Sequence, residues 1–183
     1  MKYLENYRYL FKTHPNYNKG DLSINYSYPL EYIRTNQSHL KTHIDISSGR
    51  GGILNFMKEF PDIVSTSTDI EKFNTLDIDF IPIDLTQNIS DLKTRHWDVL
   101  TCLDVLEHIE ESYIDSILQT FSEISDICLI AIANHEEVID GIRLHITNYD
   151  QIYWMDKLKQ YFTVLKTEML HNGRLSYFEL NKL

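Results

Sequence analysis

From Thr42 onward the chain alternates short apolar runs with stretches of helical periodicity, and this alternation limits the fold more than any other feature. Strands are expected over 42–46, 63–68, 80–83, 99–103 and 127–133. Between them, 53–60 has helical spacing, and 112–124 carries a regular stripe of Ile114, Ile117, Leu118 and Phe121. The connections around Glu71 and Ser90 are short, with room for a turn or two. Ile152, Met155, Leu158 and Phe162 mark another amphipathic helix, followed by alternating runs over 163–170 and 175–180. His171, Asn172 and Gly173 between those runs read as a hairpin connection. Five parallel strands and a closing antiparallel hairpin make an α/β sheet of seven. With 183 residues, 43% of them apolar, the chain can bury one core, so a single domain over 1–183 is expected.

Ahead of this core, Tyr3, Leu4, Tyr7, Leu10 and Phe11 fall at helical spacing, and 14–28 reads as irregular through Pro15, Asn16, Gly20 and Asp21. A second helix is expected to begin near Pro29 and to carry Leu30, Ile33 and Arg34. No run approaches the roughly 20 apolar residues of a membrane span, and MKYLENYRYLFK lacks the apolar centre of a signal peptide. A soluble, cytoplasmic protein is the expectation. Cys102 and Cys128 lie inside apolar runs as small buried hydrophobes, which indicates neither a disulfide framework nor a zinc site. A net charge of -10, with no cluster of Lys and Arg, argues against a broad nucleic-acid surface unless a metal or partner supplies positive charge.

The first strand ends in THIDISSGRGGI. Asp45 closes the strand, and Gly49, Arg50, Gly51 and Gly52 open the next helix, letting the backbone pass close under a ligand. A dinucleotide turn asks for G-x-G-x-x-G, whereas here the third glycine is missing and an acid precedes the turn. S-adenosylmethionine has an amino group and a sulfonium but no phosphate, so an acidic strand end suits it better than a pyrophosphate. Asp69 ends the second strand, placed to accept from both ribose hydroxyls, with Ile70 flanking the adenine. Asp84 ends the third, placed to accept from the adenine amino group with Leu85 beside it. Taken singly, each acid is as readily a helix cap; their shared position at strand C-terminal ends favours ligand contact.

With these residues in place, the stretch from Lys41 to Leu183 resembles class I S-adenosylmethionine-dependent methyltransferases. The family's D-x-G-x-G-x-G stands here as Asp45, Ile46, Ser47, Ser48, Gly49, Arg50 and Gly51, with Ser47 in place of the first glycine. The resemblance implies a Rossmann-like sheet of order 3-2-1-4-5-7-6 with helices on both faces. It also implies cofactor contacts from Asp45, Ser47, Gly49, Gly51, Asp69, Ile70, Asp84, Leu85 and the backbone near Leu103, with residues 1–40 as lid and part of the acceptor pocket.

After the fourth strand, LDVLEHIEE offers Asp104, Glu107 and His108. Three readings stay open: a divalent-metal site that lowers the pKa of acceptor hydroxyls, a metal-free general base at His108, and a hydrogen-bonded helix cap. A short acidic motif alone is not a coordination sphere, which favours the third, and a further ligand would reverse the preference. His145, in RLHITNYDQIYW, is the candidate for that ligand or for a catalytic base, and His135 in ANHEE can face the acceptor. The acid-x-x-E-H with a distant His resembles metal-dependent small-RNA 3′-terminal 2′-O-methyltransferases, although Asp104 stands where Glu is usual; VLTCLDVLEHI resembles ubiquinone-pathway O-methyltransferases. Tyr17, Tyr26, Tyr28 and Tyr32 can stack on an aromatic or sugar acceptor, and Arg143 suits an anionic one. The expected activity is methyl transfer to a small molecule at oxygen. The alternatives are a metal-dependent RNA-end or nucleotide methyltransferase and a non-catalytic, methyltransferase-like binding protein.

Overall fold

The computed structural model describes residues 2–14 and 26–183. Two helices, α1 (Lys2–Thr13) and α2 (Ser27–Asn36), precede a seven-stranded sheet. Its strands are β1 (Thr42–Ile46), β2 (Val64–Asp69), β3 (Asp79–Pro82), β4 (Trp97–Leu103), β5 (Ser125–Ala133), β8 (Phe162–Leu170) and β9 (Leu175–Lys182). They lie in the order β3-β2-β1-β4-β5-β9-β8, which is the expected 3-2-1-4-5-7-6. Strands β1 to β5 pair in parallel, and β9 inserts antiparallel between β5 and β8. The remaining helices are α3 (Gly52–Met57), α4 (Glu111–Ile124) and α5 (Gln151–Leu158). A two-stranded hairpin, β6 (Val138–Ile139) with β7 (Ile142–Arg143), was not legible in the sequence, because two residues per strand give no periodicity.

Strand alternation divides the interior into two layers. Cys128, Ile130 and Ile132 of β5 join Ile44, Leu100, Phe178 and the α4 stripe on one face. Leu129, Ala131 and Ala133 join Val99, Tyr177 and the helices α2 and α3 on the other. Because successive side chains of a strand point to opposite faces, a strand apolar at every position must be covered on both. Both cysteines are buried and unbridged. Helix α2 begins at Ser27 rather than Pro29, and Pro29 falls within its first turn, where no intrahelical N–H is required. Most of the segment expected to be irregular, 15–25, lies outside the described residues, and Tyr17 with it. No helix among the described residues is long and apolar enough to cross a membrane.

Candidate active site

All five parallel strands deliver their C-terminal ends to one edge, and a cavity of about 1250 Å³ opens there. The turn after β1 is built on left-handed residues: Ser47 (φ 53°), Gly49 (φ 51°) and Gly51 (φ 79°). The left-handed backbone of Ser47, at the position where the motif has its first glycine, costs an L-residue roughly 1–2 kcal/mol. Gly51, expected to touch cofactor, is absent from the cavity wall. It caps α3, and a Cβ there would stand 2.8 Å from Leu76 Cδ1. Gly52 lines the cavity instead, and a Cβ on it would collide with the Tyr26 hydroxyl.

The other expected cofactor residues, Asp45, Ser47, Gly49, Asp69, Ile70, Asp84, Leu85 and Leu103, all line the cavity. Asp69 Oδ2 accepts from Gly49 N at 2.9 Å, and Oδ1 accepts from Ile70 N at 2.8 Å. Burial outweighs these bonds and raises its pKa to about 6. Asp45 is raised to about 7 by burial, against a bond from Thr101 Oγ1 at 2.7 Å and with a smaller contribution from Asp69. Two buried carboxylates at one end of a cavity make a place for a cation. Asp84 is committed locally: Oδ1 accepts from Thr86 N and Oγ1, and Oδ2 from Gln87 Nε2.

Behind Asp45 runs a buried chain that sequence reasoning missed. His43 Nε2 lies 2.9 Å from Thr101 Oγ1, and Nδ1 lies 3.2 Å from Ser65 Oγ. For the Thr101 hydroxyl to donate to Asp45, His43 must donate from Nε2 and accept from Ser65 at Nδ1. Burial lowers the His43 pKa to about 3, so the ring is neutral as this chain requires. It is the second residue of β1, beside Ser65, where an isolated His in a strand carries no spacing signal.

At the far end, a short 3-10 turn, Leu106–His108, follows β4. Ile146 N and Thr147 N both donate to Glu107 O, at 2.9 and 3.0 Å, which stitches the segment after β7 onto this turn. As a result Glu107, His108 and His145 each bring one ligand atom within 4.8 Å of the others. Asp104, expected among the metal ligands with Glu107 and His108, falls outside this group; its backbone is left-handed (φ 56°), with its N–H donated to Ala131 O. Glu107 Oε1 accepts from Ala133 N at 3.0 Å, while Oε2 is buried without a partner among the described residues. His108 Nδ1 faces Leu144 O at 3.1 Å, and His145 Nδ1 faces His135 O at 2.5 Å. Each ring therefore donates from Nδ1 and presents an Nε2 lone pair, as ligating imidazoles do. Burial and then Asp104 raise the Glu107 pKa. Burial, with His145 adding to it, lowers that of His108 to about 4. For His145 burial acts downward, yet bonds to Glu137 and His135 O raise the pKa overall.

Helix α1 roofs the cavity, with Tyr7 edge-on to His108 at 5.9 Å and Phe11 against Phe73 at 4.5 Å. Arg50 fastens it by donating to Phe11 O at 2.9 Å and Phe73 O at 3.2 Å. The stripe that made α1 legible as a helix holds both aromatics, but gave no sign of what they cover.

The arrangement is the class I S-adenosylmethionine-dependent methyltransferase fold. A protein designated PH0226 from Pyrococcus horikoshii OT3 matches with a TM-score of 0.71 and 12% identity, covering 96% of this chain and 99% of that one. An S-adenosylmethionine-dependent methyltransferase from Clostridium acetobutylicum ATCC 824 matches at 0.68 and 13% identity, over 99% and 98% of the two chains. Another from Archaeoglobus fulgidus matches at 0.67 and 15%, over 97% and 99%. No protein-family model matches the sequence, and no curated protein does.

Proposed function

We propose that the protein is an S-adenosylmethionine-dependent methyltransferase that acts on a hydroxyl of a small molecule. One observation carries this reading: a single cavity is lined both by Asp45 and Asp69 and by Glu107, His108 and His145, whose ligand atoms lie within 4.8 Å of one another. The carboxylates bind the ammonium and ribose of the cofactor, and Ile70 and Leu85 flank its adenine. The acceptor hydroxyl meets the lone pairs of Glu107, His108 and His145. Methyl transfer breaks the carbon–sulfur bond with its electron pair left on sulfur and forms the oxygen–carbon bond, while the hydroxyl proton leaves. His145 Nε2 takes that proton, with Glu137 Oε2 3.4 Å away to balance the charge gained. Alignment under α1 supplies much of the remaining rate.

The same three residues fit a divalent cation, since Glu107 Oε2 is a buried oxygen without a partner and both imidazoles are oriented by carbonyls. Such an ion, when bound, lowers the pKa of a hydroxyl it touches. This triad also favours a second reading, methylation of an RNA end or nucleotide, against which the net charge of -10 counts. The test is transfer of labelled methyl from S-adenosylmethionine to a metabolite extract and to short RNA, each with and without chelator. Label in a small molecule supports the proposal, and loss on chelation assigns the triad to a cation. Label confined to RNA selects the second reading; cofactor binding with no transfer to either leaves a non-catalytic binding protein.

A further inference from the structure

The cavity is lined by an arginine that has no counter-charge among the described residues. Among the six arginines, Arg8, Arg34, Arg95 and Arg143 face carboxylates, and Arg50 donates to two carbonyls. Arg143, which the sequence suggested for an anionic acceptor, is taken by Glu136 and by His145 O. Arg174 lines the cavity, and its guanidinium has no partner among the described residues. Arg174 is exposed at the cavity mouth, and among the described arginines it alone has no carboxylate or carbonyl partner for its guanidinium.

The backbone that presents it is held firmly. The connection from β8 to β9 runs through three consecutive left-handed residues, His171 (φ 53°), Asn172 (φ 57°) and Gly173 (φ 88°), two of them carrying a Cβ. Arg174 O accepts from Asn134 N at 2.7 Å and faces His135 Nδ1 at 3.2 Å, so the end of β5 fixes the position from which the arginine extends. The His135 ring stands 4.9 Å from that of His145, which stands 4.8 Å from that of His108. The Arg174 backbone is therefore one imidazole away from the triad, on the side opposite the cofactor carboxylates.

We infer that the acceptor is a small oxyanion: a molecule whose phosphate or carboxylate is bound by the Arg174 guanidinium while its hydroxyl reaches Glu107, His108 and His145. The planar fork of an arginine matches either group with two parallel hydrogen bonds. This rests on the methyltransferase reading for the hydroxyl, but the anion contact can be measured without it. The protein, with and without S-adenosylhomocysteine, is titrated with phenyl phosphate, benzoate and phenol, and the series is repeated with Arg174→Gln and Arg174→Lys. The expected result is that at least one anion binds roughly tenfold or more tightly than phenol, and that Arg174→Gln removes this preference. The phosphate and carboxylate arms then say which group the site takes. Arg174→Gln should leave S-adenosylhomocysteine affinity and the thermal midpoint unchanged. Anions binding no better than phenol, or equally well to Arg174→Gln, would overturn the inference. So would a loss of S-adenosylhomocysteine affinity in that variant, which would assign Arg174 to the cofactor. If S-adenosylhomocysteine fails to bind the wild type, the methyltransferase reading falls, while the anion titration of the free protein still decides the role of Arg174.

Discussion

Ser47 departs from the motif's glycine in a turn whose backbone is left-handed at that position. Its left-handed backbone carries a penalty that glycine avoids, partly offset because glycine gives the unfolded chain more freedom. Ser47→Gly should therefore stabilise the protein by about 0.5–1 kcal/mol in chemical denaturation, with cofactor affinity retained. Asp69 behaves in the opposite sense. An unfolded aspartate ionises near 3.8, but this one holds its proton up to about 6, so its charged form costs stability as pH rises through that value. The thermal midpoint of the ligand-free wild type should therefore fall as pH rises from about 4 to about 6, relative to that of Asp69→Asn, whose amide does not ionise but can accept only one of the two backbone bonds. If Asp69 holds the ribose as proposed, binding uses the ionised form, so wild-type affinity for S-adenosylhomocysteine should fall as pH drops through about 6, and the Asn variant should be weaker throughout.

At the scale of elements, β1 and α1 carry the less visible parts of the site. The His43–Thr101–Asp45 chain crosses from β1 to β4 and back, and each link fixes the donor direction of the next. Replacing His43 by Phe removes the donor to Thr101 and frees its hydroxyl to turn away, leaving Asp45 without the one side-chain donor it has among the described residues. Cofactor affinity should fall several-fold with the fold retained, and His43→Gln, which can still donate, should restore much of it. Helix α1 is fastened by Arg50, so Arg50→Ala should speed amide exchange in Lys2–Thr13 while β4 and β5 stay protected.

Strand β5 was legible because burial on both faces demands the unbroken apolar run from Ile127 to Ala133, and α4 because its stripe repeats at helical spacing. The acids at the strand ends were legible because topology alone sends them to one edge. His43, Arg174 and the roofing aromatics were not, since their roles depend on neighbours distant in sequence. The exclusion of Asp104 follows from a left-handed residue that no spacing rule reveals. The joining of His145 to Glu107 depends on two backbone hydrogen bonds to Glu107 O, which side-chain identity does not encode.

For the whole molecule, the acidic balance and the form of the cavity point the same way. Buried carboxylates with raised pKa values, inside a chain of net charge -10, favour a cationic ligand, and S-adenosylmethionine brings a sulfonium and an ammonium. The same field opposes polyanions, so the arginine at the acceptor end can serve a small anion without making an extended phosphate surface. The most direct measurement is calorimetric titration of the wild-type protein with S-adenosylmethionine and S-adenosylhomocysteine, repeated with Asp69→Ala. One site per chain at micromolar affinity, weakened at least tenfold by Asp69→Ala through loss of charge-assisted bonds to the ribose, is the predicted result. No binding of either compound at high micromolar concentration would contradict the account.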